Sequence, residues 1–329
     1  MTAKAPHIVV IGGGTGSFTL LQALKQATPN ITAIVNMSDD GGSTGKLRDE
    51  LGVLPPGDIR QCLMALSALP EVRELFNYRF SGETLGGQSL GNFILSGLEL
   101  QYKGDFEKAV DVAGRMLNIT GQVIPVTLTK HTLVLHDGDN TVKGQYRIEQ
   151  TTIQSPDPRI THEPKASINP RAAAAIQAAD LIVIAPGNLY CSLLPALAVA
   201  DMREALNSSQ AKVVAVANLV NKAGQTDNWH VVDYAKAIER YIGEDSIDYI
   251  LYNDDMPSED LLQRYAQEGE YPLSTSADRF GEIHAAAIGA HLIAHQVQAQ
   301  DSNDTLIRRT LIRHDAQQAS DHLFRILNQ

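Results

Sequence analysis

Consecutive apolar residues, rather than alternating ones, punctuate this chain and mark strands covered on both faces of a sheet. His7 to Ile11 (HIVVI) is the first such run and Ile31 to Val35 (ITAIV) the second; Leu181 to Ala185, Lys212 to Ala217 and Ile247 to Tyr252 repeat the type later. Between the first two, Leu20, Leu21 and Leu24 recur at helical intervals behind a run of glycines. The opening therefore predicts strand, glycine loop, helix and strand, a βαβ unit long enough for a right-handed crossover. Residues 58–117 turn helical: Asp58 and Gln61 have capping-box spacing, and Phe106, Ala109, Val110, Ala113 and Leu117 share a face behind Asp105. Val231, Tyr234, Ile238 and Tyr241 form another such face.

The period changes between Gly121 and Gln150. His131 to His136 and Thr141 to Ile148 look like two strands joined by the turn Asp137-Gly138-Asp139-Asn140, a hairpin signal. The polar, proline-spaced stretch from Ser155 to Pro170 then reads as an exposed connection. The predicted architecture is one doubly wound α/β domain over 1–329, its sheet mostly parallel, with an antiparallel insertion at about 121–170.

Composition narrows the partners. The 329 residues are 43% hydrophobic, and 27 Lys plus Arg against 38 Asp plus Glu give a net charge of −11. Such a surface argues against nucleic acid and anionic lipid, though one small anion remains compatible with it. Cys62 and Cys191 are too few for a disulfide scaffold, and neither a signal peptide nor a membrane-spanning run is apparent. A cytoplasmic location is the expectation, and a homodimer is the base-rate guess.

The candidate chemistry lies in loops after the predicted strands. Gly12, Gly13, Gly14, Thr15 and Gly16 offer backbone donors at a helix start, where an anion is favoured. Ser17 at the third fingerprint position and Asn36 in place of an acid weaken a dinucleotide reading. In Asn36 to Lys46, Gly41 is one residue too close to Gly45-Lys46 for a Walker A loop, and Leu47 replaces its hydroxyl residue. What remains, Asp39 and Asp40 beside Gly41 and Gly42, can accept hydroxyls, hold magnesium or act as a base; a ligand-free Asp-rich turn is the plainer alternative. Arg60, in a helix's first turn, either serves an external anion or pairs with Asp39, Asp40 or Asp58. Gly87-Gln88-Ser89-Leu90-Gly91 has the spacing of a hydrolase elbow but no buried strand before it, so Ser89, Gly91 and Asn92 are better read as a helix start facing a pocket. Gly187, Asn188 and Ser192 follow the strand at 181–185, and Asn218 follows the next one. Cys191 suits a buried apolar role. His284, His291 and His295 fall on one helical face without a zincin's glutamate, which favours a surface or interface.

GGGTG at 12–16, NMSDDGGSTGKLRDELGVLPPGDIRQCL at 36–63, SLGN at 89–92 and PGNLYCS at 186–192 together resemble the YvcK-like gluconeogenesis factor family of the CofD-like superfamily. The likeness runs from Ile8 to the RRTLIRHD stretch at 308–315. It implies a Rossmann-like, three-layer fold that binds a uridine diphosphate sugar, with N-acetylglucosamine the expected sugar. It also implies a cytoplasmic regulator of carbon metabolism, cell-wall synthesis and cell shape, acting through protein partners. The glycine loops, Lys46 and Arg60 would then hold the diphosphate, Asp39 or Asp40 would take hydroxyls, and Asn92, Asn188 and Asn218 would orient the ligand. No cofactor is required on this reading. The alternative is a transferase like the CofD enzymes that join phospholactate to a deazaflavin, with magnesium at Asp39 and Asp40. Lys46, Arg48 and Arg60 would supply a small basic locus in an acidic chain.

Overall fold

The computed structural model describes residues 5–294 and 311–329. The chain opens with β1 (Ile8–Gly12), α1 (Gly14–Ala27) and β2 (Ile31–Val35), then runs through α2 (Gly42–Leu51), α3 (Gly57–Leu66), α4 (Pro70–Asn77), α5 (Leu90–Gln101) and α6 (Phe106–Met116). β3 (Gln122–Pro125) returns it to the sheet. An excursion follows: β4 (Thr132–Asp137), β5 (Asn140–Lys143), α7 (Gln145–Glu149) and β6 (Arg159–Glu163). After α8 (Pro170–Gln177) come β7 (Leu181–Ile184), α9 (Leu194–Leu197), α10 (Met202–Asn207), β8 (Lys212–Val216), α11 (Val231–Ile242), β9 (Tyr249–Asn253), α12 (Glu259–Ala266), β10 (Ala286–Ala290) and α13 (Ala316–Leu327).

Among the described residues, seven strands form a parallel sheet in the order β10-β9-β8-β7-β1-β2-β3. Residues of β1, β2 and β7 are buried throughout, as uninterrupted apolar runs require of strands covered on both faces. Ile8 stands level with both Ile31 and Leu181, so β1 is flanked by strands whose connections leave in opposite directions. Right-handed crossovers then place their helices on opposite faces. α1 packs on α3 and α13, and α10 on α8 and α11, giving two helical layers around the sheet.

The excursion departs and returns at one point. Asn169 N–H donates to the Val126 carbonyl and Asn169 Nδ2 to that of Pro125. Since β3 belongs to the main sheet, the inserted part runs from about Val126 to Asn169 rather than from 121.

Three sequence expectations change here. Thr141 to Ile148 is not one strand: β5 ends at Lys143, Gly144 adopts φ +99°, and α7 begins. Ser155 to Pro170 is not merely a connection, because β6 within it pairs antiparallel with β4 and completes a three-stranded sheet. The supposed helical face of His284 and His291 is extended instead. Ala286–Ala290 pairs with Tyr249–Asn253 as a parallel edge strand, and this pairing overrides alanine's helix propensity. The five strand residues between His284 and His291, about 16 Å of extended chain, take the two histidines off any common helical face. His295 lies outside the described residues.

Candidate functional site

Loops at the carboxyl ends of β1, β2, β7 and β8 converge where open parallel sheets hold ligands. Gly16 is what lets the first and third of them touch: a Cβ there would lie 1.9 Å from the Pro186 carbonyl oxygen. Asn36 Nδ2 donates to the Cys191 carbonyl at 3.1 Å, tying the β2 loop to the β7 loop. Asn218 then closes a two-way pair with Gly187, accepting its N–H at 2.9 Å and donating to its carbonyl at 2.8 Å. Asn188 accepts from Cys191 N–H and starts a wide π-type turn over Leu189–Leu193. Glycine loops, Asn188, Ser192 and Asn218 are thus brought together, but both asparagines spend hydrogen bonds holding loops rather than facing a ligand.

The acids have separate fates. Asp40 accepts from the Gln145 and Tyr146 backbone N–H groups at 3.0 and 2.7 Å, so its carboxylate closes the N-terminus of α7. Asp39 accepts from Gly41 N–H at 3.0 Å and from the Thr44 hydroxyl. Loss of water raises the pKa of Asp39, with a smaller push in the same direction from Asp40. Asp58 does not cap its helix through its side chain. α3 begins after Pro56, and the Asp58 carboxylate, inside the first turn, instead accepts from Gly14 N–H in the glycine loop and meets the Asn36 side chain. Desolvation first, and the Asp39 charge second, push Asp58 up to about 7. The carboxylate at the start of α1 is therefore the chain's own. The next first-turn donors, on Thr15 and Gly16, have no acceptor within the helix, and Thr15 is exposed.

Arg60, Ser89 and Asn92 form a second, buried cluster. Arg60 is 3% exposed and donates to Asn92 Oδ1 at 3.0 Å, to the Phe76 carbonyl at 3.3 Å and to Asn77 Oδ1. Ser89 Oγ donates to the same Phe76 carbonyl. A serine committed in this way, with no strand leading into it, is no nucleophile. Ser43 links the cluster to α2 by accepting from Ser89 N–H and Asn92 Nδ2 while donating to Gln88 Oε1. Helix starts near a pocket were expected at 89–92, yet the Asn92 amide turns inward to satisfy Arg60. The basic locus likewise separates: Lys46 is exposed on α2, and Arg48 lies 3.5 Å from Asp49 and 4.0 Å from Asp40. Both cysteines are buried, and desolvation pushes both thiols far above their ordinary value.

The inserted segment closes over this crevice. His131 Nε2 meets Ser38 Oγ at 2.9 Å, and the His131 and His162 rings stand edge to face at 4.5 Å. Gln225, after β8, donates its amide to the Ile148 and Thr151 carbonyls at the far end of α7. The Cys191 thiol points to the Gln145 carbonyl at 3.7 Å. Ser43, His131, Tyr146 and Gln225 were not singled out from the sequence as site residues, and Asp58 entered only through its capping-box spacing with Gln61 and as a possible partner of Arg60. Only Asp58 had a signal, its place after the rigid Pro55-Pro56-Gly57 turn.

A family model described as 2-phospho-L-lactate transferase CofD matches residues 8–293. The gluconeogenesis factor of Bacillus subtilis is 35% identical over 99% of both chains. A longer relative from Nostoc sp. is 40% identical over 88% of this chain, which spans 64% of that protein. The solved structure of protein BH3568 from Bacillus halodurans superposes with a TM-score of 0.89 at 34% identity, covering 98% of this chain and all of that one.

Proposed function

The chain belongs to the CofD family and, within it, to the gluconeogenesis factors, and from that membership we propose that it is a regulator that binds a nucleotide sugar. Uridine diphosphate-N-acetylglucosamine is the proposed ligand, read by a cytoplasmic protein that adjusts carbon metabolism, cell-wall synthesis and cell shape through protein partners. One observation carries this reading. The crevice gathers open backbone donors of α1 beside the carboxylates Asp39 and Asp58, while the serine and thiols nearby are buried and committed or unreactive. Donors for phosphate next to acceptors for hydroxyls suit a sugar nucleotide.

The CofD description keeps a second reading in view, a phosphoryl-linked group transfer, and the raised pKa of Asp58 favours it because a base near neutrality is what such a step uses. Asp40 does not fit magnesium, since N–H donors occupy both of its oxygens. Asp39 and Asp58 each also accept two hydrogen bonds, from Gly41 N–H and the Thr44 hydroxyl and from Gly14 N–H and the Asn36 side chain, so they would hold magnesium only through their remaining lone pairs; when bound, the ion would supply charge neutralisation at the phosphates. No cluster of three or more His, Cys, Asp or Glu suited to a metal occurs among the described residues.

Calorimetry with uridine diphosphate-N-acetylglucosamine, with and without magnesium, separates the two. Saturable binding without turnover is expected. Absence of binding by any uridine diphosphate sugar sinks the regulator, and turnover lost in Asp58→Asn with affinity retained establishes the transferase.

A further inference from the structure

We infer that the cavity beneath α7 is a subsite for a neutral, polyhydroxylated ring, the glycosyl part of the ligand whose phosphates face the glycine loops. This rests on the nucleotide-sugar reading of the crevice and says where specificity for the sugar resides. The cavity holds about 330 Å³ and is lined by Tyr146, Glu149, Gln150, Thr151, Thr152, Lys222 and Ala223. That is the small end of ligand sites, suited to one ring rather than a dinucleotide.

The lining decides the chemistry. It offers a carboxylate, a primary amide, two hydroxyls and an aromatic ring, and Ala223 is its one aliphatic member, too little for a base or an acyl chain. Its one cation, Lys222, already faces Glu270 at 3.7 Å and is poorly placed to neutralise a phosphate. Mixed donors and acceptors around one aromatic face match ring hydroxyls, which both donate and accept. The position fits as well. Tyr146 is 53% exposed, its backbone N–H is held by Asp40, and its ring comes within 3.7 Å of where a Cβ on Gly41 would stand. One side chain therefore borders both the acidic loop and the cavity.

The walls are fixed to each other. Ile153 N–H donates to the Gly224 carbonyl at 2.8 Å, and the Gln225 amide nitrogen bonds Ile148 and Thr151. Gly224 has φ +76°, and a Cβ there would sit 2.9 Å from Thr152 Oγ1, so glycine alone permits this seam. Gln225 itself is buried behind this wall, so its amide fixes the lining residue Thr151 rather than facing the cavity.

The test compares uridine diphosphate with uridine diphosphate-N-acetylglucosamine and uridine diphosphate-glucose by calorimetry on the full chain. Wild type, Glu149→Gln and Tyr146→Ala are used; Glu149 is half-buried and Tyr146 exposed, so thermal melts serve as a check on folding. The expected result is unchanged affinity for uridine diphosphate and about a tenfold loss, in each variant, of the gain that the sugar brings. Variants that keep the whole gain overturn the subsite alone and leave the crevice reading standing. Failure of the wild type to bind any uridine diphosphate compound overturns the crevice reading and the subsite with it.

Discussion

Asp58 stores a free-energy cost that the sequence conceals. Its folded pKa near 7 lies above the ordinary carboxylate value of 3.8 expected for the unfolded chain. Between those values the native protein holds a proton that the unfolded chain has released. This contribution to stability is therefore complete below about pH 4 and is lost as pH rises to 7, by on the order of 4 kcal/mol. Asp58→Asn keeps an acceptor for Gly14 N–H and removes the charge. Denaturant unfolding between pH 5 and 8.5 should show a falling profile for wild type and a flatter one for the variant, which becomes the more stable protein at pH 8. Equal slopes in the two proteins refute the assignment. Asp58 had capping-box spacing with Gln61, but spacing along a helix says nothing of which loop lies across the crevice. For the same reason Arg60 was legible as an unusual first-turn cation while its partners, Asn92 and the Phe76 carbonyl, were not.

α7 shows the same division one level up. It is five residues long, too short to persist alone, and is held at one end by Asp40 and at the other by Gln225. Asp40→Ala removes the acceptor for two N–H groups and should cost about 1–2 kcal/mol locally, in the range of a lost helix cap. Hydrogen exchange read at Gln145 and Tyr146 should accelerate by about tenfold or more while exchange in β1 and β7 stays unchanged. Protection preserved at both amides contradicts the clamp. Local pattern could not locate α7, because Thr141 to Ile148 alternates well enough for a strand and the break comes from Gly144 and from acceptors 105 and 106 residues away. Long apolar strands, by contrast, were legible: β1, β2, β7, β8 and β9 fall where the sequence puts them. Alanine-rich β10 was missed, since its pairing with β9 and not its composition makes it a strand.

The inserted sheet and the parallel sheet share one hydrophobic core. Leu133, Leu135, Ile148 and Ile160 from the insertion are in the same buried cluster as Ile8, Val183 and Val214. Elements joined through a continuous core unfold together. Trp229, the single tryptophan, packs edge to face on Tyr234 at 5.4 Å outside the insertion. Its fluorescence and the far-ultraviolet circular dichroism of the whole chain should give coincident denaturation curves; a separate earlier dichroism step would mean that the insertion is a unit of its own. Sequence by itself determined the α/β class, the order of the main strands, the glycine loops at their ends and the family, because each of these is written in neighbouring residues through apolar runs, turn chemistry and motif blocks. Tertiary structure decided which partner each polar group meets. Asp40 is consumed by α7, Arg60 by Asn92, and Asn218 by Gly187, while Asp39 and Asp58 meet in the crevice. Those partners come from distant loops, and a polar group's availability depends on the acceptors and donors that folding brings to it.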